Sequence, residues 1–241
     1  MVLNELDSTK QDDTVKEVIN PFSNSPFGPQ KKYDVSSSFY HLIMGVWEIK
    51  PNKIALEMMN IKSHERVLDV AFGTGWCLNR IIQEKQMPVY GLDYSSGMYQ
   101  TCLQNLKKDG IEEYAYLVKA NAKTMPFQNN SFDVVFSTFL LDLLPKQEIQ
   151  TVLNEMNRVL SSNGRLLAMT LTKDGKGVSR SMRLLYEMIY DHWITIGNYR
   201  ASSRPIYLEE EIENAGLTIK ESKITHIPLF HFPVKIIIAT H

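Results

Sequence analysis

Apolar and polar positions change rhythm along this chain of 241 residues, and each change predicts an element. Residues 1–30 are polar, with Pro21, Pro26 and Pro29 among Asn and Ser, and read as a flexible leader ending near residue 32. From Tyr33 the character shifts. The run Phe39-Tyr40-His41-Leu42-Ile43-Met44-Gly45-Val46-Trp47 is too apolar for a surface loop, and Ser36, Ser37 or Ser38 can cap a helix there. A second helix is expected at 52–59, with Pro51 in its first turn. Strands at 66–70, 89–92, 114–119, 132–138 and 165–172 then alternate with helices at 75–84, 97–108 and 146–160. The 132–138 run is almost continuously apolar, as a central strand covered on both faces requires. In 146–160, Ile149, Val152, Leu153, Met156 and Leu160 recur at helical spacing, and Ser162-Asn163-Gly164 is expected to turn the chain out of that helix.

Alternating strands and helices imply a parallel sheet with right-handed crossovers. The last third departs from that rhythm. Residues 179–196 predict a helix with Met182, Leu185, Tyr186, Ile189, Trp193 and Ile196 on one broad apolar face. A short helix at 208–215 ends at Gly216, and strands at 217–225 and 232–240 are joined too closely to be parallel. The expected fold is α/β, a Rossmann-like doubly wound sheet of seven strands: five parallel plus a C-terminal antiparallel hairpin. An N-terminal helical lid (33–60) and a cap insertion (179–200) complete a single domain over 33–241, behind a leader at 1–32.

Chemistry enters at the end of the first strand. Asp69-Val70-Ala71-Phe72-Gly73-Thr74-Gly75 is a strand end running into a glycine turn that opens a helix. Glycine lets backbone approach a ligand closely and take positive φ. Asp93 closes the second strand, roughly 20 positions on, where a carboxylate can accept from both hydroxyls of a ribose. A dinucleotide turn needs a third glycine, and that position is Leu78. No triphosphate loop of the G-x-x-x-x-G-K-[ST] type is present.

Bulk composition narrows the class. With 44% apolar and 22% charged residues and a net charge of −1, the chain has the balance of a soluble globular protein and no electrostatic footprint for nucleic acid. Two cysteines, Cys77 and Cys102, make neither a disulfide framework nor a metal set, and both fall on predicted helices as buried thiols. The N-terminus lacks an apolar signal region and no run reaches 18 apolar residues. The expectation is a cytoplasmic, enzyme-sized chain without bound metal, peripheral membrane contact staying open.

Residues 69–75 resemble the first motif of the class I S-adenosylmethionine (SAM)-dependent methyltransferases, D-x-[GA]-x-G-x-G, with Ala71 at the first small position. Gly91-Leu92-Asp93-Tyr94-Ser95-Ser96-Gly97-Met98 is similar to the family's G-[IVL]-D-x-S-x-x-M stretch, and Ala120-Asn121-Ala122-Lys123-Thr124-Met125-Pro126-Phe127 to its [DN]-A-x-x-[LM]-P-F. Asn157-Arg158-Val159-Leu160-Ser161-Ser162-Asn163-Gly164 resembles its R-V-L-K-P-G-G turn, departing at Ser162 and Asn163; Asn tolerates the left-handed conformation, so the turn is expected to survive. Within the class the combination looks most like the ubiquinone/menaquinone-biosynthesis and phospholipid N-methyltransferase group. The resemblance implies SAM as cofactor and S-adenosylhomocysteine as product. It implies Asp93 on the ribose, Tyr94 and Met98 near the adenine, Asn121 on the adenine amino group with Ala122 beside it, and Asp69, Ala71, Gly73 and Gly75 around the methionine end.

The expected acceptor is a small or amphiphilic molecule: a quinol-like ring, a lipid amine or another small compound. Tyr33, Tyr40, His41 and Asp142 are candidate catalytic groups, with His226 and His231 weaker ones. Arg180, Arg183, Arg200 and Arg204 could hold an anion on the acceptor, or stand as solvated charges. An inactive or regulatory SAM-binding homologue and an aminopropyltransferase-like enzyme are the rival readings. The second would need acidic residues near the loop after the fourth strand, where the sequence offers Asp142.

Overall fold

The computed structural model describes residues 48–174, 180, 181, 184, 204–228 and 231–241. The expected leader, the helix over 39–47 and most of the cap at 179–200 lie outside these residues.

Residues 48–59 form helix α1. The chain then alternates β1 (Val67–Val70), α2 (Trp76–Lys85), β2 (Val89–Asp93), α3 (Ser96–Asp109), β3 (Ala115–Lys119), β4 (Phe132–Thr138), α4 (Lys146–Val159) and β5 (Leu160–Leu171). Helix α5 (Leu208–Asn214) and strands β6 (Thr218–His226) and β7 (Pro233–Thr240) close it. The seven strands lie in the order β3-β2-β1-β4-β5-β7-β6. β1 through β5 are mutually parallel, and β7 inserts antiparallel between β5 and β6. β6 therefore runs in the common direction, because α5 returns the chain as a crossover before the hairpin reverses it.

Strand side chains alternate between two cores, as their period of two dictates. Val67, Val89, Val134, Phe136, Leu167, Ile236 and Ile238 face α1, α2 and α3. Leu68, Leu92, Val135, Leu166, Ala168 and Ile237 face α4 and α5. Between β3 and β4 no helix forms. Residues 120–131 cross that second face as a turn-rich loop whose Ala120, Ala122, Met125 and Phe127 pack on the core.

The expected turn at 162–164 is not a left-handed one. β5 begins at Leu160, straight out of α4, and Asn163 keeps a negative φ. The four residues Ser161 to Gly164 are instead taken up by a register shift against β4, with Phe132 opposite Leu160 and Val134 opposite Arg165. A Cβ on Gly164 would lie 2.7 Å from a Leu160 methyl and 2.9 Å from the Asp133 carbonyl, so the glycine answers a close approach rather than a positive φ.

Candidate functional site

Strand order reverses between β1 and β4: the chain leaves β1 toward β2 and β3 and returns to build β4 on the other side. The crevice beyond the carboxyl ends of such strands is where open α/β sheets bind ligands. Asp69 sits there, paired in register with Gly91 of β2 and Phe136 of β4 and 2% exposed. The turn after β1 is held open by three left-handed residues: Ala71 at φ 64°, Gly73 at 56° and Gly75 at 78°. Ala71 carries a Cβ in that region, a cost of about 1–2 kcal/mol that persists only where its surroundings impose it. They do so here, because the Ala71 and Phe72 N–H groups both donate to the Leu92 carbonyl, at 2.7 and 3.3 Å.

The two glycines differ in what they permit. A Cβ on Gly75 would come within 2.3 Å of the Cys102 Sγ, so this glycine lets α3 pack against the turn. A Cβ on Gly73 would meet nothing within 4 Å. Its bare backbone faces open space, the cradle a close-lying ligand needs. Gly75 caps α2 without any side-chain hydrogen bond, which leaves the first N–H groups of that helix to an anion.

Asp93 ends β2 and is 7% exposed. Its Oδ2 accepts the Gly73 N–H at 2.9 Å and its Oδ1 the Ser95 N–H at 2.8 Å. The carboxylate thus fixes the glycine turn to the start of α3. Met98, in the first turn of α3, is buried and donates its N–H to the Ser95 hydroxyl at 3.3 Å; Tyr94 is exposed. Asn121 and Ala122 are half-buried beside this end of the sheet, the Ala120 N–H donating to the Asp93 carbonyl at 3.0 Å. The structure therefore brings Asp69, Ala71, Gly73, Gly75, Asp93, Tyr94, Met98, Asn121 and Ala122 to one edge.

Burial dominates the electrostatics. It pushes the Asp69 carboxyl well above its ordinary range, with the Asp93 charge adding to it. The Cys77 thiol is raised by burial first and by Asp69 next, and Cys102 is pushed up to about 12 by burial, then by Asp69 and Asp93. Both thiols are free and inert by this measure.

On the acceptor side, Asp142 lies just past β4 and is 1% exposed. Sequence reading missed its neighbour. Glu48, at the start of the described part of α1, is pushed up to about 8 by burial first and by Asp142 second. The signal available was a lone acid closing the apolar run before Pro51. Phe139 was missed as well: at φ 56° it bends the chain sharply after β4, donating its N–H to the Met169 carbonyl at 2.8 Å. Phenylalanine carries no turn signature, so nothing in the sequence marked it. Tyr33, Tyr40 and His41 lie outside the described residues.

His226 and His231 come together at the tip of the β6–β7 hairpin, ring centroids 6.3 Å apart. Burial, then His231 and Lys50, lower the His226 pKa. The arginine cluster is only partly described. Arg204 is turned toward the loop after β4, its Nη2 donating to the Leu144 carbonyl at 3.0 Å and its N–H to the Asp142 carbonyl at 2.9 Å. Arg180 is helical and exposed, and Arg183 and Arg200 fall outside the described residues. Among the described residues no three His, Cys, Asp or Glu side chains are grouped to hold a metal, and no helix is long and apolar enough to cross a membrane.

Residues 67–164 match the family of methyltransferase domains. The chain is 32% identical over 166 residues to the ubiquinone/menaquinone biosynthesis C-methyltransferase UbiE of Rhizobium meliloti, covering 68% of this chain and 60% of that relative. It therefore spans under two thirds of the relative's length. Among solved structures, the [4+2]-cyclase SpnF superposes with a TM-score of 0.69 at 15% identity, over 87% of this chain and 93% of that one. Geranyl diphosphate C-methyltransferase from Streptomyces coelicolor, solved with S-adenosyl-L-homocysteine, superposes at 0.59 and 10% identity, over 80% and 77%. Likenesses this remote in sequence speak for the fold, and the family rests on the matched domain and the curated relative. By those two and by its strand order, the chain belongs to the class I SAM-dependent methyltransferases.

Proposed function

We propose that this protein transfers the methyl group of SAM to a small amphiphilic acceptor, a hydroxylated quinol-like ring before others. The observation that carries the reading is the Gly73 N–H bonded to Asp93 beneath an open cradle, because it sets a bare backbone and a ribose-type carboxylate at one point. SAM supplies a methyl already activated on a sulfonium. The chain's own part is to bind, orient and exclude water. Asp93 takes the ribose hydroxyls, the first N–H groups of α2 take the methionine carboxylate, and Asp69 lies toward its ammonium. Asn121 and Ala122 border the adenine, with Tyr94 and Met98. On the far side Glu48 and Asp142 offer oxygen acceptors to a hydroxyl or amine of the substrate. Residues 33–60 act as lid and 179–200 as cap. The quinol preference comes from the UbiE relative, and buried, unpaired thiols suit the cytoplasm.

Calorimetric titration of SAM into the full chain, followed by turnover on a demethylated naphthoquinol, tests this. SAM should bind, and Asp93→Ala should weaken it about thirtyfold, the worth of hydrogen bonds to a charged group. SAM binding without methyl consumption on any acceptor would favour a regulatory homologue instead.

One observation favours a second reading. Glu48 beside Asp142 gives the loop after β4 the paired acids that a cationic amine would need, as in an aminopropyltransferase-like enzyme. Transfer from decarboxylated SAM to putrescine, with none from SAM to the quinol, would select it.

A further inference from the structure

The loop from β3 to β4 carries Asn121 and Ala122 but has no helix to stiffen it. The last turns of α4 supply the missing support. Glu155 accepts the Met125 N–H at 2.7 Å, and Arg158 Nη2 donates to the Met125 carbonyl at 3.1 Å, so one acid–base pair grips both backbone groups of a single residue. Arg158 Nη1 reaches on to the Phe127 carbonyl at 2.8 Å and the Asn129 side chain at 2.9 Å. The pair is itself joined twice, at 2.6 and 2.8 Å. Its bond to Arg158 holds the Glu155 carboxyl below the usual range. Lys123 Nζ is pinned to Glu148 of α4 at 3.0 Å. At its other end the loop hangs from β2, through the Ala120 N–H on the Asp93 carbonyl. Asn121 lies between these anchorages. Its Oδ1 accepts the Lys123 N–H at 2.9 Å, which fixes which end of the amide faces the loop; that assignment follows from the hydrogen-bond network.

We propose that Arg158 and Glu155 are positioning residues for base recognition, locking the loop so that the Asn121 amide reads adenine in one orientation. The inference rests on Asn121 bordering the adenine, as in the function proposed above. Adenine shows a ring-nitrogen acceptor beside an amino donor. Hypoxanthine shows the reverse, a ring N–H donor beside a carbonyl acceptor. A fixed amide distinguishes the two, whereas an amide free to turn over satisfies either. Loosening the clamp therefore costs discrimination between the bases, and not only affinity. A role in stability alone would weaken both ligands alike.

The test is calorimetric, on the full chain, with S-adenosylhomocysteine and S-inosylhomocysteine as paired ligands. The parent protein should prefer the adenosyl compound by about a hundredfold, the scale of leaving one buried donor or acceptor unpaired. Asn121→Ala should collapse that ratio to about a few-fold. Arg158→Gln should do the same with Asn121 intact, Arg158→Lys should restore part of it, and the Asn121→Ala/Arg158→Gln double variant should lose no more than Asn121→Ala. Should Arg158→Gln fail to fold, Glu155→Gln is held to the same ratio, since it leaves the Arg158 bonds to Phe127 and Asn129 in place. A ratio preserved in the clamp variants but lost in Asn121→Ala overturns the inference and leaves the adenine assignment standing. A ratio untouched by Asn121→Ala removes the adenine assignment, and the inference with it.

Discussion

Ala71, Gly73 and Gly75 all hold left-handed φ, yet each does so for a different reason, and only substitution separates them. Gly75 is crowded, Gly73 faces open space, and Ala71 is held by bonds to the end of β2. Gly75→Ala sets a Cβ against the Cys102 sulfur and should cost about 2–4 kcal/mol, overpacking plus left-handed strain. Adding Cys102→Ala removes the sulfur and should return the overpacking part, leaving the strain. Chemical denaturation of both variants checks this; a double variant no more stable than Gly75→Ala would mean that crowding is not what the glycine relieves. Sequence spacing located these residues because a glycine turn after a strand has few other uses. It could not rank them, since the neighbour that distinguishes Gly75 comes from α3, across a contact no local pattern encodes. Asp93 was legible for the same reason as the turn. That it also bonds the Gly73 N–H was not, because the bond needs two strand ends to be placed side by side.

Elements were legible where the hydrophobic period is clean. β1, β2 and β4 are buried on both faces and read as short apolar runs, and α4 shows its buried stripe directly. The junction of α4 and β5 was misread because Ser-Asn-Gly has turn chemistry whatever it is doing. Here Ser161 to Gly164 lie along β5 in a register shift against β4, with Gly164 under the Asp133 carbonyl. The two readings predict opposite sensitivities. If a left-handed turn were needed, Asn163→Gly would stabilise and Gly164→Ala would be strained in φ. With the close approach, Asn163→Gly should be neutral or slightly destabilising, while Gly164→Ala should lose about 1–3 kcal/mol through the forced shift of backbone. Thermal or urea melts of the pair decide between them, and a stabilised Asn163→Gly would restore the turn.

At the scale of the molecule, the part least visible in the sequence is what distant segments do to each other at the mouth of the sheet. Glu48 on α1 and Asp142 after β4 are far apart in the chain, and neither lies in a motif that names the other. Their proximity follows from α1 packing on the face of the sheet that α2 and α3 share. Burial and Asp142 raise the Glu48 carboxyl from an ordinary 4.5 to about 8. The folded protein therefore holds a proton that the unfolded chain releases, so this contribution to stability is complete below about pH 4.5 and lost as pH rises to about 8. Asp69, also raised, contributes with the same sign. Glu48→Gln keeps the shape of the side chain and cannot ionise, so its stability should fall less than the parent's between pH 5 and pH 8, by on the order of 2 kcal/mol. Urea midpoints at pH 5, 6.5 and 8 for the parent, Glu48→Gln and Asp69→Asn would measure the two contributions separately. Identical slopes in the parent and Glu48→Gln would mean that α1 does not press an acid against the acceptor side, and the amine-binding reading would lose the observation on which it stands.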